Sequence, residues 1–351
     1  MDALLRYTLY GITISILLLE VGLMVTCCLL IILIKSVTRR KQQKRDKNAA
    51  AIRALIDKHL LNDLPLTTLS IPNDLNDFQN VLECAETYDH LFTDERWQNI
   101  KEKIFAENLT PFLSAYATSF SWVKRQLAAR AMLLCPHKAQ RELLEKLLDD
   151  NRFLVRVTAA TCITRISDQL LFEKVIKKMS MESPHSQFPY RDALIQVDEE
   201  KFRWIEKVLR ETNNIKTQAI CLDILSERYS NNAFDLVQPF LHCSDITCRT
   251  LAIKVLGSIP LPESKKILLH RLEDSDWNIR AEAIMSLEKL HALEAIPQLR
   301  EALNDPVWWV RLKAAMALKS IGKDGLDVLN AKLSEKGSKA CEIAQYALAL
   351  P

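Results

Sequence analysis

The stretch that decides the fold is Leu272–Leu318, which reads LEDSDWNIRAEAIMSLEKLHALEAIPQLREALNDPVWWVRLKAAMAL. It contains one pattern twice, roughly 31 residues apart, which is a helical-repeat period. The pattern is first Asp274, Trp277, Ile279, Arg280 and Ala283, then Asp305, Trp308, Val310, Arg311 and Ala314. Each copy has an Asp-containing turn, an aromatic residue and an Ile/Val-Arg pair that opens an Ala-rich helix. Another helix, Glu294–Leu303, is predicted between the copies. Helix pairs that cannot bury their apolar faces alone must stack on neighbouring copies.

Further copies of this pattern occur upstream, some in the same frame and some weaker. They lie at Ser121–Met132, Asp150–Ile163 and Asp245–Leu256, and near Arg191 and Lys216. Alignment on the basic residue gives positions 125, 156, 191, 216, 249, 280 and 311. The two steps on either side of Arg191 differ from the others, one longer and one shorter, and we expect a loop insertion at Ser183–Pro189 to account for the long one.

The motif Asp-x-x-Trp-x-Val-Arg-x-x-Ala-Ala-x-Ala-Leu, at Asp305–Leu318, resembles the HEAT family. It is most similar to the shorter HEAT-like repeats that also occur in phycobilisome lyase subunits. The resemblance implies an all-α fold, an α-α superhelix of the armadillo/HEAT type over residues 121–351, with irregular capping helices at 76–120. It is nearly silent on chemistry, because a shared fold does not fix function.

An apolar run, Leu9–Ile34, reads LYGITISILLLEVGLMVTCCLLIILI. A helix that spans a bilayer needs about 20 such residues, so we predict a single transmembrane anchor over residues 1–34. A cleaved signal peptide is the alternative. It agrees poorly with the sequence, because the apolar core is too long and no small-residue cleavage site follows.

Residues 35–47 carry seven basic side chains and one acidic side chain. The positive-inside rule therefore predicts a single-pass protein of the inner or plasma membrane, with the N-terminus outside and the repeats in the cytoplasm. The same basic residues either serve only as this topology signal or also bind anionic lipid head groups: Lys35, Arg39, Arg40, Lys41, Lys44 and Arg45. A short helix at 49–62 and a Pro-containing linker to residue 75 are expected next.

One ionisable residue, Glu20, lies near the middle of the apolar run. Thr13 and Cys27 are each seven residues from it, so the three share one helix face. This stripe predicts packing against a transmembrane helix of a partner or of a second copy. A lone protonated Glu20 is the alternative, because an unpaired charge there is costly.

The net charge of +3 comes from the N-terminus. Residues 1–47 hold eight of the 47 basic residues but only three of the 44 acidic ones, which leaves 39 against 41 for residues 48–351. A slightly acidic repeat region disfavours nucleic acid as a partner. The nine Cys residues form no Cys-x-x-Cys pair and are expected to be reduced and buried.

Sequence signals for catalysis are scarce. Deoxyhypusine hydroxylases, which are enzymes built on HEAT-like repeats, bind iron through His-Glu pairs, and none of the seven His residues here precedes a Glu. No Gly-rich phosphate loop, Ser/His/Asp set or metal-ligand spacing occurs either. We therefore expect a non-enzymatic chain without cofactor or metal.

The predicted function is a scaffold that holds a protein partner at the membrane. The contact candidates are Trp309, Arg311, Arg280 and Arg249. Three Asp residues each lie six residues before an Arg: Asp150, Asp274 and Asp305. We expect them to cap the second helices and to pair with the arginines in a ladder. The alternative is that the arginines form an anion site on the concave face. Trp277 and Trp308 are expected to pack between repeats. Trp309 is the best candidate for an exposed aromatic contact, the alternative being that it is buried against the last helices.

The alternative function is a lyase-like or accessory protein that handles a small-molecule cofactor in the concave groove. A deep apolar pocket with converging polar groups would favour this alternative, whereas a broad open groove favours the scaffold.

Overall fold

A computed structural model describes residues 2–61, 64–228 and 232–350, without the side chains of residues 2–18 and Val21. All regular elements in these ranges are helical, and no strand occurs within them. The chain divides into two compact units, Met1–Cys135 and Pro136–Pro351.

The first unit contains five α-helices among the residues that the structure describes. They are α1 (Asp2–Leu61), α2 (Phe78–Asp89), α3 (Glu95–Ile104), α4 (Thr110–Ala117) and α5 (Trp122–Leu134). A short π-helical segment, Phe105–Leu109, joins α3 to α4.

Helix α1 differs from the prediction, because the apolar run, the basic segment and the helix expected at 49–62 form one continuous helix. No Gly or Pro occurs between residues 23 and 61, so nothing in that sequence interrupts the backbone hydrogen bonds. Its final turns bury Ile52, Ile56 and Leu60, where α1 packs against α2 and α3.

The second unit contains fourteen α-helices among its described residues. They are α6 (Arg141–Leu148), α7 (Phe153–Arg165), α8 (Gln169–Met181), α9 (Pro184–Ile195), α10 (Glu199–Glu211), α11 (Ile215–Glu227), α12 (Ala233–Val237), α13 (Ile246–Leu256), α14 (Pro262–Arg271), α15 (Trp277–Lys289), α16 (Ile296–Ala302), α17 (Trp308–Ile321), α18 (Lys323–Lys332) and α19 (Lys339–Ala349).

The odd-numbered helices of this unit pack in sequence as one row, from α7 through α9, α11, α13, α15 and α17 to α19. Among the even-numbered helices, α6 packs on α8, α8 on α10, and α10 on α12. Small residues permit close approach in the first row, where Ala252, Ala283 and Ala314 are fully buried. Two layers of stacked helices are the architecture of an α-solenoid.

The helices that carry the repeated motif begin at regular intervals. Their first residues are 122, 153, 184, 215, 246, 277, 308 and 339, so every step has the same length. The unequal steps expected on either side of Arg191 are therefore wrong, and the expected loop at Ser183–Pro189 forms the start of α9. Pro184 is compatible with the first turn of a helix, where its missing N–H is not needed.

Candidate functional site

The repeated Arg, at the fourth residue of each motif helix, binds the backbone of the preceding turn. Arg280 Nη1 donates to the carbonyl oxygens of Asp274 and Ser275, at 2.8 and 3.2 Å. Arg311 Nη1 does the same to Asp305 and Pro306, at 2.7 and 3.1 Å. The same contact recurs at Arg125, Arg156 and Arg249. We call this the turn clip.

Two copies use Gln instead, which sequence alignment missed. Gln218 Nε2 donates to the carbonyl oxygen of Thr212 at 2.9 Å, and Gln187 Nε2 to that of Glu182 at 3.1 Å. Alignment on basic residues had selected Arg191 and Lys216 in these copies. Gln also carries N–H donors, so a search at constant spacing for any long donor side chain could have found both.

The Asp residues before the clips accept hydrogen bonds within the turn but do not cap the helices as expected. Asp274 accepts from the backbone N–H of Asp276, and Asp305 accepts from that of Val307, two residues on in each case. The residue directly before α15 is Asp276, whose side chain caps that helix. The turn is thus held on both sides, by Asp side chains and by the clip.

The ladder between copies includes Arg280 and Arg156. Arg280 Nε and Nη2 donate to the two carboxylate oxygens of Asp305 in the next copy, at 2.8 and 2.9 Å. Arg156 binds Glu182 of the next copy at 2.7 Å. The hydrogen bond to Asp305 raises the pKa of Arg280, so this guanidinium is firmly charged.

Arg311 lacks such a carboxylate. The position that corresponds to Asp305 in the last copy, three residues before α19, is Lys336. Arg311 is only 9% exposed, and its Nε is buried without a hydrogen-bond partner in the described part of the chain. The contact shared by three of the predicted binding residues is therefore the turn clip to their own preceding turn: Arg249, Arg280 and Arg311.

An apolar ridge follows the starts of the motif helices in the second unit. The side chains that define it are the exposed apolar residues at the first two positions of α7, α11, α15 and α17, namely Phe153, Leu154, Ile215, Trp277, Trp308 and Trp309. Trp277 and Trp308 are 40% and 42% exposed, so they are less enclosed between repeats than expected. Trp309 is the most exposed tryptophan of the ridge at 54%.

The ridge ends in an aromatic cluster. The ring of Trp308 contacts that of Trp309 edge-on, with centroids 4.9 Å apart, and that of Tyr346 at 6.1 Å. Tyr346 is half-exposed as well. Exposed aromatic rings that are fixed by one another provide large contact area at low entropic cost.

A groove of about 1120 Å³ lies beside this ridge, where α8 and α10 end and α11 begins. It is lined by apolar Met181 and Ile215 and by charged Lys177, Glu211 and Lys216. The groove is open to solvent and its charges are of both signs. Such a shape suits an extended segment of another protein better than an enclosed small molecule.

The row of motif helices carries charges that neutralise one another. Arg191 and Lys254, on α9 and α13, both pair with Asp223 and Glu227 of α11 between them. The hydrogen bond from Lys254 lowers the pKa of Glu227. On α15, burial raises the pKa of Glu282 despite three nearby lysines. The two basic side chains are therefore neutralised by carboxylates of the motif helix between them.

The cysteines agree only in part with the expectation of burial, because Cys27 and Cys28 are exposed and Cys135 and Cys243 are half-buried. Five of the nine are buried, and burial raises the pKa of Cys221 and Cys248 to about 12 each, which disfavours the reactive thiolate. Within the described ranges, no group of three His, Cys, Asp or Glu residues is arranged to hold a metal ion.

The candidates on α1 lie on its exposed half. Glu20 and Cys27 are exposed, whereas the side chain of Thr13 lies outside the described residues. Lys35, Arg39, Arg40, Lys41 and Lys44 are exposed, and Arg45 donates to Asn80 of α2 at 3.2 Å. At about 100° per residue, these basic side chains surround the helix and do not form one face.

Comparison with known proteins identifies the repeats. The family model described as HEAT repeats matches residues 202–288 and 266–349. Residues 202–349 are therefore similar to HEAT repeats, and the helical layers of the second unit agree with that class of solenoid. A search of the curated proteins finds no match to the sequence.

Several solved structures resemble the chain at low identity. The CpcE–CpcF complex of phycocyanin lyase from Nostoc sp. PCC7120 is 18% identical, with a TM-score of 0.33, covering 69% of this chain and 95% of that one. Human deoxyhypusine hydroxylase is 18% identical, with a TM-score of 0.31 and coverage of 88% and 96%. Kap121p bound to Pho4p is 12% identical, with a TM-score of 0.45 and coverage of 86% and 39%. At these values, no activity or partner is transferred.

Proposed function

We propose that this chain is a membrane-anchored, non-enzymatic scaffold that holds a partner protein on the apolar ridge of its second unit. The observation that carries this proposal is the recurrence of exposed Phe, Leu, Ile and Trp at the first two positions of four motif helices, α7, α11, α15 and α17. Exposed apolar side chains that recur along one surface are typical of protein interfaces. The open groove beside it supports a protein ligand over the small-molecule alternative.

The anchor is the first half of α1. By length and composition, Gly22–Leu61 is the one candidate membrane span among the described residues, and none of its apolar window is buried in the protein. Leu23, Leu29 and Ile32 would otherwise expose more than half of their surface to water. Basic residues all round the helix favour a helix that crosses the head groups over one that lies flat on them.

The membrane part of the proposal is tested by fractionation and N-terminal sequencing of the full-length protein. We expect it to resist alkaline extraction, to keep residues 1–34, and to expose its repeats to protease only from the cytoplasmic side. Release of a chain that has lost its first residues would instead identify a cleaved signal sequence.

The partner surface is tested by photo-cross-linking in cells. Trp309 is replaced by p-benzoylphenylalanine, with Leu293 as the matched control, because the two are 54% and 56% exposed but lie at opposite ends of the repeat. We expect a specific protein adduct at position 309 and none at 293. Equal labelling at both positions, or none at 309, would contradict the ridge as the binding surface.

The polar stripe of α1 supports a second, smaller part of the proposal, a partner transmembrane helix. Glu20 and Cys27 are on one face of α1, and a carboxylic acid in the bilayer is stabilised by a partner. We expect Glu20→Leu to weaken co-purification of a membrane protein, with Leu23→Ala as the control. An unchanged complex would leave Glu20 as a lone protonated residue.

A further inference from the structure

Helix α2 runs parallel to the second half of α1, which fixes its direction relative to the apolar run. Three contacts join the two helices. Arg45 donates to Asn80, and the thiol of Cys84 lies 3.7 Å from the carbonyl oxygen of Ala49. The hydroxyl of Tyr88 lies 3.4 Å from the carbonyl oxygen of Arg53. Each pair is separated by 35 residues. A constant offset requires parallel helices, so the N-terminal end of α2, at Phe78, is the end nearest to the apolar run.

The turn between α4 and α5 lies at this same end of the first unit. Tyr116, near the end of α4, stacks on Phe78 with ring centroids 4.2 Å apart. Farther along, Arg130 of α5 forms an ion pair with Glu86 of α2. Arg130 and Glu86 are each eight residues beyond Trp122 and Phe78, so the start of α5 is level with the start of α2.

This turn, Thr118–Ser121, presents apolar side chains to the outside. Phe120 is fully exposed, and Trp122 and Val123, which follow it, keep 41% and 46% of their surface exposed. The turn is also held in place, because the Arg125 clip donates to the carbonyl oxygens of Ser119 and Phe120. Three exposed apolar residues at one fixed turn form a patch that marks an interaction site.

The distance to the membrane follows from the rise of α1. With the offset of 35 residues, Phe78 is level with Gln43, eight residues beyond Lys35. At about 1.5 Å per residue, this end lies about 12 Å from the edge of the apolar run. The head-group layer is about 5 to 8 Å thick on each side of the bilayer. A spanning helix also tilts by about 20°, and this tilt brings one side of the first unit closer to the head groups.

We propose that the Phe120 turn inserts into the interfacial layer of the lipid bilayer and forms a second membrane contact beside α1. This inference rests on the proposed function, in which α1 spans the membrane. Phe and Trp side chains favour the interface, where the ring is partly desolvated. Lys124, next to this turn, lies 5.4 Å from the ring centroid of Tyr116 and adds positive charge toward anionic head groups. Asp77, at the same end, uses its carboxylate to cap α2.

The test is photo-cross-linking of the full-length protein in nanodiscs of phosphatidylcholine and phosphatidylglycerol. Phe120→p-benzoylphenylalanine is compared with the same replacement at Leu91, which is 69% exposed and follows the other end of α2, about 17 Å farther from the apolar run. Leu29, within the run, reports whether α1 is in the bilayer. Lipid adducts are identified by mass spectrometry.

We expect lipid adducts at positions 29 and 120, and several-fold fewer at 91. Adducts at 29 together with equal, low labelling at 120 and 91 would overturn the second contact and leave the anchor intact. Protein adducts at 120 in place of lipid adducts would assign the turn to a protein partner and also overturn it. No lipid adducts at 29 would show that α1 is not inserted, and both proposals would then fail together.

Discussion

The Arg280 turn and the Arg311 turn are successive copies of one motif, and they differ in what lies beyond the clip. Both guanidinium groups hold the preceding turn through two carbonyl oxygens. Arg280 also binds the carboxylate of Asp305 with two hydrogen bonds, whereas the Nε of Arg311 is buried without a partner among the described residues. The first guanidinium joins two repeats, and the second only closes its own turn.

The difference teaches that the motif has two separable roles. Closure of the turn requires only an N–H donor of sufficient length, since Gln187 and Gln218 achieve it. The link between repeats requires a full guanidinium and a carboxylate in the next copy. The link is therefore absent where Lys336 replaces the carboxylate.

The largest expected effect concerns Asp305. We expect Asp305→Ala to lower the free energy of unfolding by about 3 kcal/mol, because it leaves the Arg280 guanidinium buried without its counter-charge. It also removes the acceptor for the N–H of Val307. Urea unfolding followed by circular dichroism measures this, with Lys336→Ala as the matched control in the last copy. Equal losses of unfolding free energy in Asp305→Ala and Lys336→Ala would contradict the difference between the Arg280 turn and the Arg311 turn.

A smaller effect is expected when the two arginines are each replaced by Gln. Arg280→Gln should cost about 2 kcal/mol, because Gln keeps the clip but abandons the buried Asp305 carboxylate. Arg311→Gln should change stability by less than about 0.5 kcal/mol, since the lost Nε has no partner in the described chain. The same unfolding measurement decides this. A costlier Arg311→Gln would mean that Arg311 has a further partner.

Restoring the missing carboxylate should stabilise the last copy. We expect Lys336→Asp to raise the free energy of unfolding by about 1 kcal/mol through a hydrogen-bonded pair with Arg311. The gain should disappear in the Arg311→Gln background, which a double-mutant cycle measures. A gain that persists without Arg311 would point to a change in the loop alone.

The smallest expected effect is on the pH dependence of stability, and it concerns two glutamates on the motif helices. Glu227 has a lowered pKa because Lys254 donates to it, so its stabilising contribution is present above its ordinary value of 4.5 and is lost as the pH falls. Burial raises the pKa of Glu282, so its contribution has the opposite sign and is lost as the pH rises. Glu227→Gln should reduce acid sensitivity, and Glu282→Gln should stabilise the protein mainly at neutral pH. Thermal melts across this range check both signs.

Much of the repeat architecture was predictable because periodicity follows from local sequence. The apolar spacing of Ile279, Ala283 and Leu287, each four residues from the next, already predicts a helix with one buried face. The two central copies were misaligned because the prediction required a basic residue, while the structure uses Gln187 and Gln218. The hydrogen bond depends on the donor group and its reach, and residue class does not capture this.

Parts of the site could not be predicted because they depend on partners remote in sequence. The exposure of Trp277 and Trp308 is set by how neighbouring helices stack, and nothing in the motif itself distinguishes packing from display. The distance of the Phe120 turn from the apolar run likewise depends on the parallel course of α1 and α2. No local pattern specifies which helices run side by side.

The sequence by itself determined the helical repeats, the apolar N-terminal run and the charge asymmetry beside it, because these are properties of residue order and composition. Only the tertiary structure decided that the repeat period is constant, that α1 continues without a break into the first unit, and which arginine meets a carboxylate. The physical reason is that a hydrogen bond needs two groups within about 3 Å. Folding brings those groups together from different repeats, and spacing along the chain alone does not reveal which pairs will meet.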